Sequence, residues 1–222
     1  MNPNLEPSAH EAPRAVRPRR LYMPGTQGAA VIDASAACAV ERLRQALDEA
    51  FATVESGADP AHCACPEFAS RVRAALTQAA AEDALLTPAQ REGALNGYRR
   101  HLLVADPRGR YAAAALVWQP GQASPVHAHH TWCGYAVLDG VLTETLYAWN
   151  EAAHCATRSR AHPREAGAVS YVRAGLNAIH RLGNESARPA VSLHVYGVSS
   201  EQFATHVNRL ISAEREPGRN EH

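Results

Sequence analysis

Two histidines separated by a single residue, His127 and His129, carry the strongest chemical signal in the chain. Along a strand, successive side chains alternate between faces. Residues two apart therefore share a face, and two imidazoles can reach one ion. Two histidines alone rarely hold a catalytic metal, so a third ligand has to come from another strand. Two candidates lie downstream, His180 in LNAIHRL and His194 in VSLHVYG, and periodicity does not choose between them. His194 also belongs to a second set. Alternation puts Ser192, His194 and Tyr196 on one strand face, which lines an interior if Leu193 and Val195 pack outward against helices. A histidine pair by itself is often no more than a polar strand face.

The elements that must position these residues read clearly. From Gly97 the hydrophobic period is 2 for about a hundred residues. His101 to Val104, Tyr111 to Trp118, Trp132 to Leu138, Val141 to Trp149, Ala168 to Val172, Ala178 to Leu182 and Ala190 to Tyr196 read as strands. Turn signals bound them, among them Asp106-Pro107-Arg108-Gly109, Pro120-Gly121, Asp139-Gly140 and Gly183-Asn184. Many short strands with such turns predict a mostly β fold, a small antiparallel barrel or jelly roll. A closing helix is expected over Phe203 to Ile211, and the tail from Glu214 to His222 is polar.

Before Gly97 the pattern is helical. Val40, Leu43, Leu47 and Phe51 recur every three or four residues from Ser35 onward, and a second stripe from Pro66 contains Phe68, Val72 and Leu76. Thr87 followed by Pro88 reads as an N-cap and first turn, opening a short third helix. The expected organisation is a flexible tail over residues 1–30, rich in Pro3, Pro7, Pro13, Pro18 and Pro24 and in Arg14, Arg17, Arg19 and Arg20. A helical segment over 31–96 packs on a catalytic domain over 97–213.

Composition narrows the function. Twenty-two basic residues balance twenty-two acidic ones, which removes an electrostatic case for nucleic acid or a membrane surface and leaves a small molecule as the expected partner. No apolar run reaches the roughly 18 residues of a membrane span, and no signal-peptide core is apparent at the start. Cys38, Cys63, Cys65, Cys133 and Cys155 lack the regular spacing of a disulfide scaffold, which fits a reducing cytoplasm. His62 beside Cys63 and Cys65 does not make a zinc half-site, because the thiols are too close together. Nothing in the sequence sets the oligomeric state; a monomer is compatible with it.

From Gly121 to Gly140 the spacing G-x5-H-x-H-x3-C-x6-G resembles the first metal-binding motif of the cupin superfamily, with Cys133 where most cupins carry a glutamate. Over about Gly97 to Gly197 the chain resembles the cysteine dioxygenases and related bacterial thiol dioxygenases, cupins that bind ferrous iron through three histidines. YRRHLL, the stretch from His127 to Gly140, LTETLYAW, NAIHR and PAVSLHVY carry that resemblance. It implies that His127, His129 and His180 are the Fe(II) ligands. It also makes Ser192, His194 and Tyr196 a catalytic relay beside the metal, Arg100 the group that binds a substrate carboxylate, and Cys133 a residue able to form a thioether with Tyr196. Counting back from Gly140 selects Cys133 for that bond; counting forward from His129 selects Gly134, which cannot form it.

The implied reaction is oxidation of the thiol of L-cysteine to a sulfinate by O2. Three neutral imidazoles leave three positions of an octahedral ferrous ion open, and an anionic thiolate offsets the charge that a lost carboxylate no longer offsets. The chain departs from the enzymes it resembles in several places. Ala128 stands for an aspartate and His101 for an asparagine, Gly197 and Val198 follow the tyrosine in place of a nearby proline, and the loop HHTWCG is one residue shorter. Trp132 in that loop matches bacterial mercaptopropionate-type enzymes, which usually carry glutamine at the Arg100 position. The alternatives are therefore a dioxygenase for 3-mercaptopropionate, mercaptosuccinate or another thiol carboxylate, with Arg99, His101 or Arg173 holding extra charge; a non-catalytic metal-binding cupin; or a zinc hydrolase or isomerase, since three histidines also suit zinc.

Overall fold

A computed structural model of the protein describes the backbone of residues 26–55 and 65–214, and the side chains of residues 34–53 and 65–214. The tail expected over residues 1–30 lies outside these, apart from residues 26–30, which begin the first helix; His62, Cys63 and residues 215–222 lie outside them as well. Helix α1 spans Thr26–Glu55 and α2 spans Pro66–Ala80. Cys65 is the N-cap of α2, its sulfur accepting from the Phe68 N–H at 3.3 Å, and Pro66 fills the first turn, where a missing N–H costs nothing. The third helix expected at Pro88 is one turn of 3₁₀ helix, Pro88–Arg91, closed by a capping box between Thr87 and Gln90.

Ten strands follow among the described residues: β1 Arg99–Ala105, β2 Ala112–Trp118, β3 His127–His129, β4 Cys133–Asp139, β5 Val141–Asn150, β6 Cys155–Glu165, β7 Val169–Val172, β8 Gly175–Gly183, β9 Ala190–Tyr196 and β10 Asn208–Leu210. They form two five-stranded antiparallel sheets, ordered β1-β2-β9-β4-β7 and β10-β3-β8-β5-β6. Leu116, Trp118, Tyr135 and Val137 of the first sheet meet Leu142 and Leu182 of the second in one apolar layer. The result is the small antiparallel double-sheet fold that the sequence predicts. Gly140 makes the β4–β5 hairpin at φ +73, a left-handed conformation that favours glycine.

The other face of the first sheet is covered by the helices. Leu47, Phe68, Val72 and Leu76 are fully buried against Ala113, Ala115, Leu193 and Val195. Each such aliphatic or aromatic side chain contributes about 1.5–3 kcal/mol of transfer free energy. Leu193 and Val195 therefore do face the helices, and Ser192, His194 and Tyr196 face inward. A Cβ at Gly134 would lie 2.8 Å from Leu76 Cδ1, which puts Gly134 on the helix side of β4. No helix among the described residues is long and apolar enough to cross a membrane.

Two elements differ from the sequence reading. The C-terminal helix expected over Phe203 to Ile211 is absent: residues 200–205 are turns, 206–207 a bend, and Asn208–Leu210 is strand β10, paired with β3 in the register Asn208↔His129 and Leu210↔His127. Without β10, β3 would present an unpaired edge beside the histidines, and backbone pairing there outweighs a weak helical period in a segment containing the β-branched Thr205, Val207 and Ile211. Strand β6 was not expected at all. Its arginines and Pro163 disguise it, but it is the edge of its sheet, where charges and proline are tolerated.

Candidate metal centre

Cross-strand register resolves the choice of third histidine. On β3 and β8, His127 is paired directly with His180, and residues directly opposite on an antiparallel pair share a face. His127, His129 and His180 are all buried, and one ring nitrogen from each lies within 4.8 Å of the others. His129 Nε2 and His180 Nε2 are 3.0 Å apart. Metal–nitrogen bonds of roughly 2.1 Å set at right angles separate two ligand atoms by about this distance.

The outer ring nitrogens orient two of the three. His127 Nδ1 is 2.9 Å from the Pro125 carbonyl, and His180 Nδ1 is 2.8 Å from Glu144 Oε1. Both acceptors require a protonated Nδ1, so each Nε2 lone pair is free for an ion. Burial, then the neighbouring His180, brings His127 down to about 4, and the same causes together with His127 bring His129 down to about 2. At neutral pH both rings are uncharged, the form that binds metal.

Glu144 is the residue that sequence reasoning missed. It is 4 % exposed, and besides His180 it meets His162 Nε2 at 3.3 Å and Arg164 Nε at 3.7 Å. Burial pushes its carboxyl up, but the hydrogen bond from His180 and the surrounding donors more than offset this and hold it below the ordinary glutamate value. A signal was present in LTETLYAW: on β5, Glu144 is in phase with Leu142 and Leu146. A carboxylate in the core phase of a strand needs a buried partner. Glu144 thus holds the outer nitrogen of His180, away from the ring nitrogen that faces His129.

The facing sheet contributes a chain of hydrogen bonds. Trp118 Nε1 donates to Ser192 Oγ at 2.9 Å, Ser192 Oγ and His194 Nε2 are 2.9 Å apart, and His194 Nδ1 and the Tyr196 hydroxyl are 3.1 Å apart. His194 engages both its nitrogens there and is brought down to about 3 by burial and by the nearby histidines. A neutral ring accepts at one nitrogen and donates at the other, so it joins the serine to the tyrosine. Burial holds the Tyr196 hydroxyl well above its ordinary value, and Cys133 likewise.

Cys133 on β4 is paired directly with Tyr196 on β9, and both belong to one apolar cluster. Gly134, the residue that the count from His129 selects, faces the helices instead. Arg100 is paired with Leu116, an interior position, whereas Arg99 is paired with Val117, which faces the helices. The Arg100 guanidinium lies 5.8 Å from the Tyr98 ring centre and 5.7 Å from that of Phe203. It is exposed, and the Tyr98 ring beside it lines a cavity together with Trp118, the three histidines and Tyr196. His101 turns away, its Nε2 3.0 Å from the Glu92 carbonyl. Trp132 anchors the loop between β3 and β4 by stacking on Tyr171 and packing edge-on to Phe68.

The profile of the family described as cysteine dioxygenase type I matches residues 90–208. Human cysteine dioxygenase type 1 is 34 % identical over 103 residues, covering 45 % of this chain and 50 % of that one. The Bos taurus protein of the same name is 32 % identical over 124 residues, covering 51 % and 60 %. The chain thus spans about half the length of the curated relatives it matches. A crystal structure from Thermus thermophilus aligns with a TM-score of 0.39 at 22 % identity, over 51 % of this chain and 96 % of that one.

Proposed function

Because the chain belongs to the cysteine dioxygenase type I family, we propose that it is a non-heme Fe(II) thiol dioxygenase that converts L-cysteine to its sulfinate. The observation that carries this reading is the buried trio of His127, His129 and His180, with two Nδ1 atoms committed to Pro125 and Glu144 and the inward nitrogens left for an ion. Ferrous iron on three neutral imidazoles supplies redox chemistry and open positions for a thiolate and dioxygen. The overall change is balanced without a further reductant: sulfur loses four electrons, dioxygen gains four, and both oxygen atoms end on sulfur.

In this proposal Arg100 binds the substrate carboxylate, its planar fork matching the two oxygens. Supporting this are its interior phase opposite Leu116 and its guanidinium beside the ring of Tyr98, a residue that lines the cavity. Tyr196 directs its hydroxyl at the reacting atoms and, through His194 and Ser192, holds or passes a proton; Trp118 fixes the far end of that chain. Leu116, Trp118 and Leu182 exclude water from the cavity. Cys133 and Tyr196 form a thioether during turnover, losing one hydrogen from the thiol and one from the ring, with dioxygen as oxidant.

The free thiols of Cys38, Cys65, Cys133 and Cys155 fit a reducing, cytoplasmic setting. The test is oxygen uptake by the iron-loaded chain with L-cysteine, 3-mercaptopropionate, mercaptosuccinate and cysteamine. Fastest uptake with cysteine is the expected result. Preference for mercaptopropionate or mercaptosuccinate would replace the substrate and keep the chemistry, and no uptake with any thiol would leave a metal-binding cupin without this activity.

A further inference from the structure

A second cavity, of about 320 Å³, opens on the far side of the His180–Glu144 pair, between the free edges of β6 and β7. Its walls are made by register. Arg160, His162 and Arg164 on β6 are paired with Leu146, Glu144 and Leu142 on β5, so all three turn to the space between the sheets. Ser170 on β7 is paired with the inward-facing Tyr135 and completes the opposite wall, and Asn177 lines it from β8.

The charge of this cavity is not balanced. Glu144 is the single acid in its lining, and one of its oxygens already accepts from His180. Against it stand two guanidiniums and an imidazole. Arg164 Nη2 donates to the Val169 carbonyl at 2.9 Å, but its Nε is buried without a hydrogen bond, and its ion pair with Glu144 is 3.7 Å long. Arg160 has no hydrogen bond or ion pair among the described residues. A buried donor without an acceptor is costly, and forked guanidiniums beside an imidazole and a hydroxyl match an oxyanion.

We propose that this cavity is a binding site for a small oxyanion, a phosphate or a carboxylate, held by Arg160, Arg164 and His162 with Ser170 and Asn177 as neutral partners. It is distinct from the cavity of the three histidines: the His180–Glu144 pair forms the wall between the two. An anion seated there meets the same arginine and histidine that face Glu144, beside His180, which also lines the cavity. The inference does not rest on the proposed thiol chemistry, because it uses only the charges and edges of β6 and β7.

The test is calorimetric titration of the metal-loaded protein with inorganic phosphate and, separately, with malonate, in chloride buffer at constant ionic strength. One saturable equivalent of either anion that depends on Arg160 is expected, apart from any malonate that Arg100 holds, and the two titrations distinguish phosphate from carboxylate. Arg160→Gln should weaken it at least threefold and Arg160→Glu at least tenfold, while Arg100→Gln leaves it unchanged. Arg160 is exposed on an edge strand, so both substitutions leave the core intact. Absence of saturable binding, equal affinity in Arg160→Glu, or loss in Arg100→Gln in place of Arg160→Glu would overturn the assignment.

Discussion

Glu144→Gln removes the charge and replaces the oxygen that faces His162 and Arg164 with an amide nitrogen. The amide keeps the volume of the side chain and an oxygen that can still accept from His180 Nδ1. In the parent that bond is 2.8 Å long to a buried carboxylate. Hydrogen bonds to a charged partner contribute about 1.5–3 kcal/mol and neutral ones about 0.5–1.5, so the substitution costs about 1–1.5 kcal/mol of ligand orientation and basicity. That corresponds to roughly a tenfold loss of metal affinity, the lower end of the 10–100-fold typical of groups that orient a ligating histidine. Glu144→Ala leaves the Nδ1–H without an acceptor and belongs near roughly 100-fold on the same scale. The assay is anaerobic competition for Fe(II) against a chromophoric chelator, with circular dichroism to verify folding. A positioning role also requires the order parent, then Gln, then Ala. Equal affinity in all three proteins would refute the claim that Glu144 sets the His180 ring.

Three further outcomes follow from the same geometry. Arg100→Ala should raise KM for cysteine at least tenfold, about 1.4 kcal/mol, with little change for cysteamine, which has no carboxylate; the effect is set at the low end because the side chain is exposed, and equal losses for both substrates would count against the carboxylate role. His127 at about 4 and His194 at about 3 lie below the usual 6.5, so the unfolded chain binds protons between pH 6.5 and 4 that the folded chain does not. Stability of the metal-free protein should therefore be fully present above pH 6.5 and fall as pH drops toward 4, by up to about 1.4 kcal/mol per pH unit for each histidine; flat denaturation midpoints from pH 7 to 5 would contradict this. After many aerobic turnovers the protein should be lighter by two hydrogens, and Cys133→Ala should not change; an unaltered mass in the parent would exclude the thioether and leave the histidine site standing.

Much of the site was legible because strand period is strict. Ser192, His194 and Tyr196 share a face as alternation requires, and β9 has the expected bounds Ala190–Tyr196. What alternation alone lacked was pairing between strands. It could not show that His180 and not His194 stands beside the histidine pair, or that Arg100 and not Arg99 takes the interior phase, because each depends on which residue stands opposite: His127 in the first case, Leu116 against Val117 in the second. Glu144 escaped notice for a related reason, since its partner lies 36 residues away on β8. The C-terminal segment misled because a short helical period and a short edge strand look alike in nine residues. Only the need to cover β3 separates them.

The most direct test of the central claim is turnover of the iron-loaded chain under labelled dioxygen, with the product analysed by mass spectrometry. The parent protein is expected to yield cysteine sulfinate carrying both labelled oxygen atoms, with one dioxygen consumed per thiol. His180→Ala should bind little iron and form none. Disulfide as the sole product, a label in only one oxygen, or undiminished sulfinate from His180→Ala would contradict a three-histidine thiol dioxygenase.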